Sequence, residues 1–266
     1  MGTQIDHNLL RQKYNPEGSP LRNLQLRMLD ILRCIDEICQ RHNIQYWLSS
    51  GSLLGAIRHG GFIPWDDDLD IEMLRDDYIR LVRILPKELP PQYILQTDET
   101  DDTYIYLFGK VRDKRSKITE KSIINQTFKH TGVFIDLFFI EPSQRFLAKI
   151  SAILFNRLCF NLAQKGGVRY RIALVNRKIL KSCIFPIFRQ IARCASKKVL
   201  RHTFGVNFLK ERHLDDIFPL QRIVFDGVEC NAPANPDGYL TNIYGDYMKI
   251  PDVKDIHIVD NQIELW

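Results

Sequence analysis

Five aspartates dominate the chemistry that this sequence can support. Four of them crowd into residues 66–70, and Asp136 stands alone in the apolar run GVFIDLFFI at 132–140. Carboxylates this close together repel one another unless a cation neutralises them, and hard oxygen ligands suit Mg²⁺ or Mn²⁺. A lone carboxylate in so apolar a strand is costly to bury without a partner. We therefore expect Asp136 to face the same metal as the cluster, from a neighbouring strand.

The spacing within the cluster predicts which carboxylates act together. Side chains alternate between the two faces of a strand, so Asp66, Asp68 and Asp70 share one face if the strand begins that early. Asp67 would then point away. The alternative is that residues 66–68 form a solvated turn and that Asp136 marks an exposed strand face.

A glycine-serine turn lies upstream of the cluster. Ser49-Ser50-Gly51-Ser52 would join a strand to a helix N-terminus, whose free N–H groups and dipole favour phosphate. Gly51 would let the backbone approach closely, and Ser52 would cap the helix and hydrogen-bond a phosphate oxygen. Such turns are common at helix starts. Beside the carboxylates, this one indicates a metal-assisted phosphoryl-transfer site.

Hydrophobic periodicity predicts the elements that position these residues. Helical spacing indicates an amphipathic helix over 21–43, with at least two more helices in 143–203. Shorter helices are predicted at 52–60, 76–85 and 235–244, and strands at 44–50, 68–74, 104–112, 132–140 and 222–233. We expect one α+β domain over 1–266, a mixed sheet flanked by helices, with a basic helical insertion at 143–210.

The central stretch also resembles a known family. Gly51-Ser52 followed by Asp68-Leu69-Asp70 resembles the signature of the DNA polymerase β-type nucleotidyltransferase superfamily, with Asp136 as its usual third acid. More narrowly, SGSLLGAIRHGGFIPWDDDLDI (50–71) resembles the LicD family of phosphocholine transferases, to which fukutin and fukutin-related protein are similar. YLTNIYGDYMKIP (239–251) resembles that family's closing motif. The resemblance covers about residues 25–140 and 222–257 and leaves the basic middle unmatched.

This resemblance implies a polymerase β-type fold and a transferase activity. Phosphocholine would move from CDP-choline to a hydroxyl of a cell-surface glycan such as lipopolysaccharide or teichoic acid, and CMP would leave. Asp68, Asp70 and Asp136 would be catalytic and would hold Mg²⁺ or Mn²⁺. Asp66 would be a further ligand, and Asp136 would help to deprotonate the attacking hydroxyl.

Donor phosphates would need cations as well as the Gly51-Ser52 turn. Arg58, Lys110 and Arg112 would supply them, unless they are ordinary surface cations. His59 and His257 are weaker candidates, because a lone histidine is more often structural than catalytic.

A choline headgroup would need aromatic faces, because a quaternary ammonium neither donates nor accepts hydrogen bonds. Trp65 is the first candidate. The other aromatic residues near the motifs are Tyr46, Trp47, Phe62, Tyr104 and Tyr106. Phosphoethanolamine or a CDP-polyol donor stays open. So do a nucleotidyltransferase that releases pyrophosphate and a non-catalytic membrane or glycan-binding module.

The charge distribution points to a partner. Residues 145–210 hold 15 Lys and Arg and no acid, although the whole chain holds 37 basic and 32 acidic residues. Cations interleaved with large apolar residues are typical of a basic amphipathic helix on an anionic membrane, where a lipid-linked glycan acceptor would be presented. The alternative is a helical subdomain with solvated cations. Nucleic acid is disfavoured, because the acidic site would repel a polyanion.

Cysteine usage and the chain start suggest a compartment. Six scattered cysteines without a C-x-x-C pair predict reduced, buried thiols. The first residues lack the apolar core of a secretory signal, and we see no run of about 18 uncharged apolar residues for a transmembrane helix. We expect a cytoplasmic protein, peripheral at the inner face of the cell membrane.

Overall fold

A mixed sheet lies at the centre of the computed structural model, which describes residues 7–119, 125, 128–163, 166–195, 198–251 and 262–266. The strands in these ranges are β1 (Tyr46–Leu48), β2 (Asp70–Leu74), β3 (Tyr93–Gln96), β4 (Gly109–Asp113), β5 (Ser116–Thr119), β6 (Phe134–Pro142), β7 (Val199–His202), β8 (Arg212–His213), β9 (Gln221–Phe225), β10 (Val228–Ala232) and β11 (Gln262–Leu265). The helices are α1 (His7–Tyr14), α2 (Pro20–Arg41), α3 (Ser50–His59), α4 (Arg75–Glu88), α5 (Arg145–Ala163), α6 (Gly167–Ile179), α7 (Phe185–Ala195), α8 (Leu214–Ile217) and α9 (Pro236–Tyr244).

The sheet is ordered β1-β2-β6-β4-β3, with only β2 and β6 parallel. Strand β6 is long enough to pair with β4 through its first half and with β7 through its second, on the same edge. Strand β8 then pairs with β7. The predicted α+β class, a mixed sheet flanked by helices, is confirmed. Its polymerase β-type identity stays a prediction.

Helix α2 covers the sheet with one apolar face. Ser19 caps its N-terminus by accepting a 3.2 Å hydrogen bond from the Arg22 N–H, and Pro20 occupies the first turn. Its buried side chains recur at helical spacing: Leu24, Met28, Leu32, Ile35 and Cys39. They join the main core beneath the sheet, which is why the amphipathic pattern at 21–43 was readable.

Two strand starts differ from expectation. Strand β2 begins at Asp70, so Asp66 and Asp68 precede it and strand alternation does not place them. Strand β4 begins at Gly109, and residues 104–108 form an irregular segment instead of the predicted strand. That segment packs Tyr104 and Ile105 into a second apolar cluster, and this tertiary burial overrides its β propensity.

The basic middle forms a helical hairpin and then returns to the sheet. Helix α5 packs on a continuous helix made of α6, a π-helical turn at Leu180–Ile184, and α7, and their buried faces build the second cluster. The predicted helices are therefore present, but they end at Ala195. The predicted insertion at 143–210 also contains β7, which belongs to the central sheet.

One helix among the described residues, α5, is long and apolar enough to cross a membrane by length and composition, with a mean hydropathy of 1.3. It contains Lys149 and Arg157, so it is not an uncharged apolar run of the kind that we expected to be absent. About 39% of the segment is buried inside the protein, and helices of protein cores pass the same test. The six cysteines are free, as expected, but Cys183 and Cys194 are exposed and not buried.

Candidate functional site

The parallel pairing of β2 and β6 brings two predicted site residues side by side. Asp70 and Asp136 are register partners, and the Asp136 N–H donates a 3.0 Å hydrogen bond to the carbonyl of Leu69. Asp136 is buried with 8% of its surface exposed, whereas Asp70 is partly exposed. The expectation that Asp136 approaches the cluster from a neighbouring strand agrees with this register.

The glycine-serine turn holds the start of β2. Helix α3 begins at Ser50, Ser49 occupies the N-cap position, and no side chain caps the helix. The predicted capping role of Ser52 is therefore wrong. Its hydroxyl instead accepts a 2.8 Å hydrogen bond from the Asp70 N–H, because one turn into α3 its side chain faces β2. Ser52 thus positions the backbone of a candidate metal ligand.

Two residues of this turn have unusual backbone requirements. A Cβ added to Gly51 would lie 3.0 Å from Oδ2 of Asp66, so a larger residue would push against this carboxylate and shift it. Ser50 adopts a φ of 46°, the left-handed region that non-glycine residues seldom occupy. Such strain persists only where surrounding structure enforces it, and it clusters at functional sites.

A cavity of about 790 Å³ opens in front of these elements. It is lined by Ser50, Gly51, Leu54, Arg58, Ile63, Trp65, Asp66, Asp68, Asp70, Phe108, Phe138, His202, Val206, Asn207, Phe208, Tyr244, Asp246, Tyr247, Lys249 and Pro251. Asp66, Asp68 and Asp70 therefore share one cavity, although the strand starts too late for alternation to explain it. Asp67 is not among the lining residues, as expected. Asp136, Ser52, Lys110 and Arg112 are not among the lining residues.

The clustered carboxylates carry more negative charge than the site balances. Burial, followed by repulsion from Asp136, raises the pKa of Asp68 to about 6. Burial and repulsion from Asp68 raise the pKa of Asp66 and of Asp70 well above the ordinary range. Each additional proton or cation in the cavity would relieve this repulsion.

Lys110 and Arg112 lie on β4 but differ in surroundings. The Lys110 ammonium is 2.5 Å from Oδ1 of Asp136 and 3.4 Å from the centre of the Phe134 ring. Arg112 is fully buried, and its guanidinium donates to the Gln96 side chain and, at 2.7 Å, to the Gly132 carbonyl. Lys110 thus contacts the carboxylate cluster. Arg112 braces the sheet, and its phosphate contact stays a prediction.

Arg58 joins the central motif to the closing motif. Its guanidinium donates to the carbonyl of Tyr247 at 2.8 Å and of Lys249 at 3.2 Å, and it lines the cavity. His59 accepts a 2.9 Å hydrogen bond from Nε of Arg58. Burial and the adjacent Arg58 charge lower the pKa of His59 to about 3, so it is a neutral acceptor that orients Arg58. His257 lies outside the described residues.

Aromatic rings form one wall of the cavity. Phe108, Phe138, His202 and Phe208 follow one another with ring centres 4.4 Å, 4.7 Å and 5.3 Å apart. Of the aromatic candidates from the sequence, only Trp65 lines the cavity; Tyr46, Trp47, Phe62 and Tyr104 are buried in apolar cores, and Tyr106 packs beside the second one. The sequence did not predict this wall, because the rings come from separate segments. Phe138 lies on β6, Phe108 directly before β4, His202 at the end of β7 and Phe208 after it.

A buried ionic network surrounds Glu72, and the sequence did not predict it. This carboxylate is fully buried and accepts hydrogen bonds from Arg212, from Tyr239 at 2.7 Å and from Nε2 of His202 at 2.6 Å. Despite burial, the Arg212 charge and the hydrogen bond from His202 hold the pKa of Glu72 well below its usual range. The network ties β2, β7, β8 and α9 together beneath the aromatic wall. Glu72 in DLDIEML was its only visible signal, and its partners lie more than 125 positions away.

The cluster fits a divalent cation by donor type and charge. Its carboxylates are hard oxygen donors with raised pKa values, and a buried carboxylate of the group already holds a protein ammonium. Among the described residues, however, no group of three or more His, Cys, Asp or Glu side chains is arranged so that it could hold a metal ion. Mg²⁺ usually keeps several waters and few protein ligands, so an open site of this kind suits it.

Comparison with known proteins shows what this chain is similar to. Residues 43–161 match the LicD/FKTN/FKRP nucleotidyltransferase domain. The chain is 29% identical over 259 residues to the lipopolysaccharide cholinephosphotransferase LicD of Haemophilus influenzae, covering 88% of this chain and 94% of that protein. It is 44% identical over 45 residues to human ribitol 5-phosphate transferase FKRP, covering 17% of this chain and 9% of that protein. It is also 47% identical over 76 residues to an uncharacterised Rickettsia prowazekii protein, covering 29% of this chain and 27% of that protein. The chain therefore carries a LicD/FKTN/FKRP-type nucleotidyltransferase domain over residues 43–161.

Proposed function

We propose that this protein is a LicD-type phosphotransferase. It moves phosphocholine, or a similar phospho-alcohol, from a CDP-alcohol to a hydroxyl of a cell-surface glycan such as lipopolysaccharide or teichoic acid, and CMP leaves. The observation that carries the proposal is the single cavity that joins a carboxylate cluster to an aromatic wall. A diphosphate with a cationic headgroup needs both surfaces. The domain match and the LicD relative support the same reaction class, and a polymerase β-type sheet.

The carboxylates supply the diphosphate end of the site. Asp68, Asp70 and Asp136 would hold Mg²⁺ or Mn²⁺, with Asp66 as a further ligand. The ion would neutralise the diphosphate and the charge that develops on the leaving CMP. Arg58, which the Tyr247 and Lys249 carbonyls hold at the cavity wall, adds a fixed positive charge for a phosphate oxygen.

The aromatic wall supplies the headgroup end. Trimethylammonium groups bind against aromatic faces within about 6 Å of the ring centre. Trp65 is held edge-on by Tyr14 at 5.3 Å and by His59 at 6.1 Å, and it lines the same cavity as Asp66. This wall favours a choline donor over a neutral polyol, which has no cation to make a cation–π contact.

The bond changes follow from this placement. The acceptor hydroxyl gives its proton to the Asp136 carboxylate, and its oxygen attacks the phosphorus that carries choline. The bond from that phosphorus to the bridging oxygen breaks, and CMP leaves with the bridging oxygen. Lys110, at 2.5 Å from Asp136, holds that carboxylate in place through the transfer.

The test uses purified protein, CDP-choline, Mg²⁺ and a lipid-linked glycan fraction, with CMP measured as the product. We expect CMP release that disappears in Asp68→Asn. Asp67→Asn is the matched control, because Asp67 is adjacent to Asp68 in the chain but does not line the cavity. Absence of CMP with every CDP-alcohol, or equal activity of the two variants, would overturn the proposal.

The same assay separates the nucleotidyltransferase alternative. Attack on the α-phosphorus of a nucleoside triphosphate would break its bond to the α,β-bridging oxygen and release pyrophosphate instead of CMP. Incubation with CTP and the glycan fraction should therefore yield no pyrophosphate.

A further inference from the structure

The helical hairpin at 145–195 has an outer surface that the proposed reaction does not use. Ten of the seventeen exposed large hydrophobic side chains among the described residues lie between positions 146 and 191. Exposed apolar residues scattered singly are ordinary, but a concentration of this kind marks an interaction surface.

On α5 the exposed apolar residues and cations share one face. Phe146, Ile153 and Phe160 are seven residues apart, which is close to two helical turns, and the two phenylalanines are 70% and 67% exposed. Lys149 and Arg157 lie three or four positions after the first two and so occupy the same face. The opposite face, with Leu147, Phe155 and Leu158, is buried in the second core.

The continuous helix α6–α7 carries a matching stripe. Its exposed apolar members are Val168, Ile172, Val175, Ile179, Ile187 and Ile191. The step of eight residues from Ile179 to Ile187 overshoots two turns of an α-helix, which has 3.6 residues per turn. The π-helical turn at Leu180–Ile184 takes up an extra residue and keeps Ile187 and Ile191 in line with the stripe on α6.

The cations of this surface are distinct from those that hold the hairpin to the core. Lys181 pairs with Asp98 at 2.5 Å, and Arg189 pairs with Glu141 at 2.5 Å. The outer cations, by contrast, form no ion pair with another described residue: Lys149, Arg157, Arg169, Arg171, Lys178 and Arg193. The absence of any acid in 145–210 leaves their charge uncompensated.

This surface also contains a cleft between α5 and α6. It encloses about 330 Å³ and is lined by Arg157, Arg169, Asn161 and Asn176, over a floor that includes Leu158 and Ile172. Two guanidinium groups with amides above an apolar floor suit a phosphodiester whose hydrocarbon part continues onto the apolar stripe.

We propose that this outer surface, the basic hairpin face (the exposed residues of α5, α6 and α7), docks on a bilayer containing anionic phospholipids. The apolar side chains enter the boundary between headgroups and acyl chains, and the cations contact lipid phosphates. A nucleic acid would use the cations but not exposed Phe146, Ile153 and Phe160. The chain leads from the hairpin through β7 directly into Val206, Asn207 and Phe208, which line the cavity.

The experiment is sedimentation of the full chain with two kinds of vesicle, without substrate. One kind contains only phosphatidylcholine, and the other also contains phosphatidylglycerol. We expect binding to the anionic vesicles that falls at high salt. Replacing Arg157, Arg171 and Lys178 by glutamine should lower partitioning on the order of 100-fold.

The matched control replaces Arg83, Lys87 and Lys114 by glutamine. These residues are also exposed cations without a described ion pair, but they lie outside the basic hairpin face. The control should bind as the unaltered protein does. A second variant, Phe146→Ser with Phe160→Ser, tests the apolar contribution and should also lower binding, with circular dichroism confirming helix content.

Three outcomes would overturn the proposal. They are equal binding to neutral and anionic vesicles, an equal loss in the two triple variants, and protein that stays with vesicles after alkaline extraction. The last result would mean that α5 crosses the membrane. Because no substrate is present, none of these outcomes bears on the transferase proposal.

Discussion

Asp70 and Glu72 lie two residues apart on one strand, yet the fold treats their charges in opposite ways. Glu72 is surrounded by its own counter-charge and donors, so its pKa is well below the usual range. Asp70 is buried close to the like charges of Asp68 and Asp136, so its pKa is raised well above the usual range. The difference separates a carboxylate that organises structure from one held ready for a ligand. Charge left unbalanced by the protein is charge that an incoming cation can satisfy.

The largest expected effect is a loss of stability when the charge of Glu72 is removed. Glu72→Gln leaves the Arg212 guanidinium buried without a counter-ion and should lower the free energy of unfolding by about 3–5 kcal/mol. Asp70→Asn, two residues away, removes repulsion and should leave stability unchanged or slightly higher. Urea unfolding in EDTA measures both. A loss of similar size in the two variants would contradict the contrast.

At Asp70, in contrast to Glu72, we expect a substitution to lower activity and not stability. Asp70→Asn should lower kcat about 10²–10³-fold, the range for removing one preorganised charge-stabilising group. Its unfolding curve should match that of the unaltered protein. If kcat falls only together with stability, then Asp70 is structural and the comparison fails.

A smaller effect, on KM, is expected from replacing Trp65 at the headgroup end of the cavity. Trp65→Leu should raise KM for CDP-choline about tenfold, from the loss of a partly desolvated cation–π contact. Trp65→Phe keeps an aromatic face and should recover most of the affinity. CDP-ribitol, which has no cationic headgroup, is the control donor. An equal change in KM for both donors would remove Trp65 from headgroup recognition.

The smallest effect concerns pH without divalent metal. Because the folded-state pKa of Asp68 is raised from 3.8 to about 6, the folded state binds this proton more tightly than the unfolded state. Its stabilising contribution is therefore complete below about pH 4 and is lost as pH rises through 6. We expect a loss on the order of 1 kcal/mol, reduced by solvent screening in the open cavity. Asp68→Asn should abolish this slope in thermal unfolding measured in EDTA from pH 4 to 7. A slope that persists unchanged in this variant would assign the titration to another group.

Local signals were sufficient where the physics is local. The amphipathic stripe of α2, the turn at Ser49–Ser52, and Asp136 within an apolar strand were all readable from spacing. The hairpin of β9 and β10 was missed as a pair of strands, although Asp226-Gly227 is a common turn dipeptide and both residues have positive φ. Ser52 was read as a cap because its distant partner, the Asp70 N–H, is invisible in a local pattern.

By itself the sequence determined the residue types of the site, the resemblance to the LicD family, and the uneven charge of the chain. These depend on side-chain chemistry and order, which are written directly in the chain. Only the tertiary structure decided that Asp70 lies beside Asp136, that Phe108, Phe138 and Phe208 form one wall, and that Glu72 meets Arg212. Each of these contacts joins segments tens to more than a hundred residues apart. Such contacts form through sheet register and core packing, which no single segment of sequence contains.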